Sequence, residues 1–130
     1  MADVLTDRDR YVSLTTFRRD GTPVPTPVWF AKLADGRLAV VTEAHSGKRK
    51  RLRNDARCTV AACDVRGRVH GVEVEARAEI VEDPVAMGPG LAALAARYGM
   101  QWRAFNLARR LRRIPDHEDR VVLLVTLACR

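Results

Sequence analysis

Lys48, Arg49, Lys50, Arg51 and Arg53 crowd into six residues, just behind a short apolar run and the hydroxyls of Thr42 and Ser46. Hydroxyls, ammonium groups and guanidinium groups gathered at the opening of a helix are the donor set that holds a phosphate. Ser46 is a good N-cap, so its side chain can close the helix start and still face an anion. His45 adjoins the same loop. Read by itself, the segment fits either a solvated basic helix or an anion site, and its place behind Thr42 favours the site. Elsewhere no nucleophile stands beside a base, and no pair of carboxylates suggests acid–base work. Cys58, Cys63 and Cys129 form no CxxC pair, and His45, His70 and His117 are scattered. No metal site is expected. The odd spacing of Cys58 and Cys63 would turn them to opposite faces of a strand, and both read as small buried apolar residues.

The elements that must carry these groups are mostly strands. Tyr11 to Arg18 is rich in β-formers, Asp20-Gly21 is a turn signal, and Pro23 to Leu33 returns as a second extended segment. Pro23, Pro25 and Pro27 alternate in that return, which marks an edge or bulged strand. Asp35-Gly36 turns the chain into residues 37–43, whose Leu38 to Val41 read as buried. After the basic helix, Cys58 to Val65 forms a further apolar strand. Residues 69–82 then alternate, with Val72, Val74, Ala76, Ala78 and Ile80 on one face and Glu73, Glu75, Arg77 and Glu79 on the other. Asp83-Pro84 stops that strand. Leu91, Leu94, Ala95, Tyr98, Trp102 and Phe105 recur at helical spacing, broken at Gly99, and read as core or subunit contact. Arg109, Arg110, Arg112 and Arg113 close the second helix, and Arg120 to Ala128 supplies a last strand. Six strands joined mainly by tight turns, with a few short helices, predict a mainly β, α+β fold: an antiparallel small closed or split β-barrel in one domain over residues 1–130.

Composition bounds the function. The chain has 130 residues, 47% hydrophobic, with a formal charge of +7 and a pI near 10.1. That is enough for one core but little to enclose a large cofactor alone, so a site shared by two subunits is expected. The longest apolar run, Val121 to Val125, is far short of the roughly 20 residues of a membrane span, and the N-terminus lacks an apolar signal core, so a cytoplasmic location is expected. The charge suits an anionic partner, either nucleic acid or a small molecule. Seven aromatic residues, none alternating with the basic ones, make no stacking platform, so no nucleic acid is expected.

Tyr11 to Arg18, the Asp20 to Pro23 turn, Pro27 to Phe30, Thr42 followed by Ser46-Gly47-Lys48, Arg51 to Arg53, Cys63 to Gly67 and Arg97-Tyr98-Gly99 together resemble the split-barrel flavin and deazaflavin reductases. These are relatives of pyridoxamine 5'-phosphate oxidase, and the resemblance is nearest to their F420-dependent branch. It implies a six-stranded split β-barrel that forms a homodimer with cofactor sites across the interface. It also implies that Thr42, Ser46 and Lys48 grip the cofactor phosphate, supported by Arg51 or Lys50. Pro27, Val28 and Trp29 would lie near the ring, and Cys63 with Asp64 would face the site more weakly. The implied activity is hydride transfer from reduced coenzyme F420 to an unsaturated small molecule. FMN, with the same tricyclic ring and ribityl phosphate, is the alternative cofactor, and a non-catalytic cofactor carrier or a nucleic-acid-binding barrel are the alternative functions. The arginine cluster at 109–113 reads first as a solvated helix end, with attraction of the acidic tail of F420 as the alternative.

Overall fold

The computed structural model describes residues 9–43, 47–111 and 120–128. Gly21 and Gly36 adopt φ of 89° and 91°, which side-chain-bearing residues rarely tolerate, and each reverses the chain tightly at a predicted turn. The turns separate β1 (Tyr11–Phe17), β2 (Pro23–Val28), β3 (Ala31–Lys32) and β4 (Leu38–Glu43). Helix α1 (Gly47–Asn54) follows, then β5 (Arg57–Cys63), β6 (Val74–Val81), α2 (Pro84–Tyr98), α3 (Met100–Leu111) and β7 (Arg120–Leu127). Every strand pairing is antiparallel, in the order β2-β1-β5-β6-β7-β4-β3.

That order explains the closure. The two edges of the sheet, β2 and β3, are consecutive in the chain and joined only by Trp29 and Phe30. So short a link forces the edges together, and the sheet must curl into a barrel. The closure is incomplete, because β3 covers β4 only at Leu38 and Ala39. Beyond Ala39 no described strand pairs with that side of β4, which leaves a split between β2 and the end of β4.

Two expectations change here. The extended segment Pro23 to Leu33 is two strands, giving seven among the described residues, because the chain leaves one sheet edge at Val28 and joins the other at Ala31. The long strand begins at Val74 rather than residue 69, and Val72 is 74% exposed. The alternation continued past the pairing, since the β5–β6 ladder ends at Val60 and Val74 and only Cys63 and Val69 bridge beyond it.

Alternation along the strands fills the barrel. Val12, Leu14, Leu38, Val40, Val60, Leu123 and Val125 are all buried in one cluster, with Leu52 of α1 reaching into it. The opposite face of β4 and β7 carries Ala39 and Val122 against Met87 of α2. Asp83 caps α2, its carboxylate accepting the Ala86 N–H at 2.9 Å, and Pro84 sits where the helix needs no donor. The predicted break at Gly99 separates α2 from α3.

Candidate functional site

The split is where the predicted residues meet. Thr26, Pro27 and Val28 of β2, Val41 and Thr42 of β4, Lys48 of α1, Phe105 of α3 and Arg120 of β7 line one pocket of about 200 Å³. Four of the predicted residues are therefore brought together: Pro27, Val28, Thr42 and Lys48. Strand register explains the convergence of the first three. Val28 is paired with Val12 on one side of the barrel, and Thr42 with Val121 on the other, so they approach only across the open seam. Thr42 is 8% exposed, which is low for a hydroxyl at the end of a strand. Lys48 lies one residue inside the start of α1, whose first turn has no acidic side chain. Among the described residues no carboxylate lines the pocket. Two cations and a buried hydroxyl in one wall are donors that suit an oxyanion.

Trp29 does not line the pocket but builds its flank. Its ring stacks on Tyr98 at 4.5 Å and 12°, and it meets Phe105, a pocket residue, at 5.8 Å. Tyr98 in turn holds the barrel link. Its hydroxyl accepts the Phe30 N–H at 3.0 Å and lies 2.9 Å from the Arg10 carbonyl and 3.0 Å from that of Phe30. Arg97 donates to the Asp9 carbonyl and spreads its guanidinium 4.6 Å above the Phe30 ring. The Tyr98 and Trp102 positions are core, as expected, whereas Phe105 is 40% exposed and faces the pocket.

Other predicted residues lie elsewhere. Arg51 does not line the pocket: its Nε donates to the hydroxyl of Thr16 at 2.6 Å. Burial first, and the neighbouring charge of Arg18 second, lower its pKa. Lys50 is exposed and also outside the lining. Helical spacing turns Lys50, two positions past Lys48, to another side of α1, whereas Arg51 is one turn on and is drawn to β1 by its bond to Thr16. Cys63 is buried on β5 opposite Tyr11, and burial raises its thiol pKa. Cys58 faces the barrel core, where burial pushes its thiol up to about 11. Asp64 is a turn residue, its carboxylate accepting the N–H groups of Arg66 and Arg68 at 2.9 Å each. Ser46, His45, His117, Cys129, Arg112 and Arg113 lie outside the described residues, as do the side chains of Arg109 and Arg110.

Sequence reasoning missed Arg120. Standing at the start of a strand, it had the signature of an ordinary solvated charge, and only the β4–β7 register carries it to the split. A larger open concavity of about 820 Å³ runs across β1, β5, β6 and β7 and contains none of the residues predicted to hold phosphate. Its arginines are offset by acids: Arg57 is paired with Asp55 at 2.9 Å, and Glu75 stands beside Arg77. The smaller pocket, which gathers Lys48, Arg120 and the Thr42 hydroxyl, is the better site for an anion. Among the described residues, no group of three histidine, cysteine or carboxylate side chains could hold a metal ion, and no helix is long and apolar enough to cross a membrane.

The fold has counterparts among known proteins. A conserved hypothetical protein of Mycobacterium tuberculosis is 25% identical and superimposes with a TM-score of 0.69, over 99% of this chain and 85% of its own. A solved F420 reductase is likewise 25% identical, with a TM-score of 0.64, over 95% of this chain and 90% of that one. A haem storage protein of Vibrio cholerae shares the fold at 13% identity, with a TM-score of 0.67 over 95% of this chain and 84% of its own. No curated protein sequence matches. The family profile of pyridoxamine 5'-phosphate oxidase matches residues 2–128, nearly the whole chain, and with the split antiparallel barrel described above it establishes that this chain belongs to the pyridoxamine 5'-phosphate oxidase family.

Proposed function

We propose that the chain is an F420-dependent oxidoreductase that passes a hydride from the reduced deazaflavin to an unsaturated small molecule. The observation that carries the reading is the meeting of Lys48 and Thr42 with Pro27 and Val28 in one seam pocket, in a chain 25% identical to an F420 reductase over 95% of its length. The donors suit the group: an ammonium and a buried hydroxyl for phosphate, beside an apolar wall of Val28, Val41 and Phe105 for the start of a ring system. Lys48 supplies the charge, and Thr42 supplies a directed hydrogen bond. Ser46 completes the grip in this reading.

At about 200 Å³ the pocket is smaller than the roughly 300–1,000 Å³ that encloses a whole drug-sized ligand. One chain thus holds one end of the cofactor, and a homodimer is proposed to cover the remainder. The bound deazaflavin would supply the hydride. What this chain contributes is position: prolines that stiffen β2 beneath the ring, and aromatic side chains that keep water from the seam. FMN stands as the alternative, because its ribityl phosphate would find the same grip.

The test is turnover. Purified protein is mixed with reduced F420 or reduced FMN and a panel of conjugated acceptors. Acceptor-dependent oxidation of F420 that slows in Lys48→Ala is the expected result. Oxidation of FMN alone would transfer the assignment to FMN, and tight F420 binding without turnover on any acceptor would make the protein a carrier.

A further inference from the structure

Aromatic rings run as a column from the link that closes the barrel to the seam pocket. Tyr98, whose hydroxyl secures the Phe30 N–H, stacks on Trp29 at 4.5 Å and 12°, and Trp29 meets Phe105 at 5.8 Å and 59°. Trp102, three residues before Phe105 on α3, reaches the same ring at 6.2 Å. Phe105 is thus braced by two indoles and is still 40% exposed, on a pocket lining it shares with Pro27, Val28 and Val41. The column ends in an open ring. Packing against the indoles restricts that ring, so it has little freedom left to lose when a ligand arrives. A fixed aromatic ring partly in water is stabilised by any apolar cover, and beyond its area by another aromatic system laid against it.

We propose that Phe105 is the specificity-determining residue of the seam, receiving a planar conjugated ring as the next member of the column. The inference deepens the cofactor reading and rests on it for which ring is bound, a deazaflavin or an isoalloxazine. Recognition of the ring does not depend on that choice. Groups that grip a phosphate hold a sugar phosphate as readily as a cofactor, whereas the end of an aromatic column favours the ligand that carries a flat π system. Helix α3 therefore selects the kind of molecule that the seam retains.

The chain supplies its own reporters, because its two tryptophans, Trp29 and Trp102, are the two indoles beside Phe105. Wild type, Phe105→Tyr, Phe105→Leu and Phe105→Met are titrated with F420, with FMN and with riboflavin, which has the FMN ring and no phosphate, while tryptophan emission is followed. Ring ligands should quench the emission saturably in wild type. Affinity should fall about two- to twelve-fold in Phe105→Leu and Phe105→Met, the range for losing one aromatic pair. Phe105→Tyr should stay within about two-fold of wild type, because it keeps the π face. Melting curves identify which variants are folded, and two non-aromatic replacements of similar bulk guard against one that is not.

Wild-type affinities in a folded Phe105→Leu or Phe105→Met would overturn the proposal, as would equal losses in Phe105→Tyr and Phe105→Leu, or no quenching by any of the three ligands. The two readings fail separately. Riboflavin or FMN binding that depends on an aromatic ring at 105, without F420 binding, keeps the column and removes F420, whereas F420 binding indifferent to residue 105 keeps the cofactor and removes the column.

Discussion

Replacing Tyr98 by phenylalanine removes one oxygen from the point where the barrel closes. The ring stays, so the stack on Trp29 at 4.5 Å is preserved and no large cavity opens. What is lost is the acceptor for the Phe30 N–H, in a residue with no solvent exposure, together with the hydroxyl's contacts to the Arg10 and Phe30 carbonyls. Leaving a buried donor without a partner costs about 1–3 kcal/mol. With 130 residues at roughly 2.1 cal/mol/K each, the unfolding entropy is about 0.27 kcal/mol/K, so each kcal/mol lowers the midpoint by about 4 °C. Tyr98→Phe should therefore melt about 4–11 °C below wild type in calorimetry, with near-ultraviolet circular dichroism unchanged at 20 °C or so. A midpoint within 1 °C of wild type would show that the hydroxyl does not latch the Trp29–Phe30 link, and the account of barrel closure would be wrong.

Arg51→Ala should act on stability rather than on ligand affinity. It strands the buried Thr16 hydroxyl, costing about 1–3 kcal/mol by chemical denaturation, while cofactor affinity stays within about two-fold; a larger affinity loss would return Arg51 to the site. Gly90→Val should be severely destabilising, since even a Cβ there would lie 3.0 Å from Val122 and 3.3 Å from Ala39, where α2 meets the sheet. Overpacking of this kind costs about 1–3 kcal/mol or more, and a wild-type urea midpoint would refute the contact. Asp55 is held down to about 2, chiefly by the Arg57 side chain. A carboxylate lowered in the folded state contributes stability above its unfolded value of 3.8 and loses it as the pH falls towards 2. Asp55→Asn should flatten the acid limb of a melting-temperature profile between pH 4 and 2, and an unchanged limb would assign the loss to other groups.

The parts of the fold decided by neighbouring residues were legible in the chain. Asp20-Gly21 and Asp35-Gly36 demanded turns, Asp83-Pro84 demanded the end of the long strand, and Gly99 demanded a break between two helices; each appears as expected. What depends on distant pairing was not legible. Nothing in Pro23 to Leu33 marks Val28 as the last residue on one sheet edge and Ala31 as the first on the other, because both halves have the same extended character. Alternation through Val72 likewise could not announce that the β5–β6 ladder stops at Val74. Thr42 and Lys48 share a pocket wall because the basic run follows a strand directly. That Arg51 bonds Thr16 of β1 was not legible, because charge type does not reveal which distant hydroxyl a guanidinium reaches. Arg120 escaped notice because its neighbours at the seam are 15 or more positions away in sequence, on α3, α1 and β2.

We propose that the seam grips a deazaflavin phosphate through Lys48. Side-by-side fluorescence titrations with F420 and FMN, on wild type and Lys48→Ala, test it most directly. The account predicts that wild type binds F420 more tightly than FMN, and that Lys48→Ala weakens F420 binding about ten- to one-hundred-fold. Equal F420 affinity in the two proteins, or a wild type that binds FMN in preference, would contradict it.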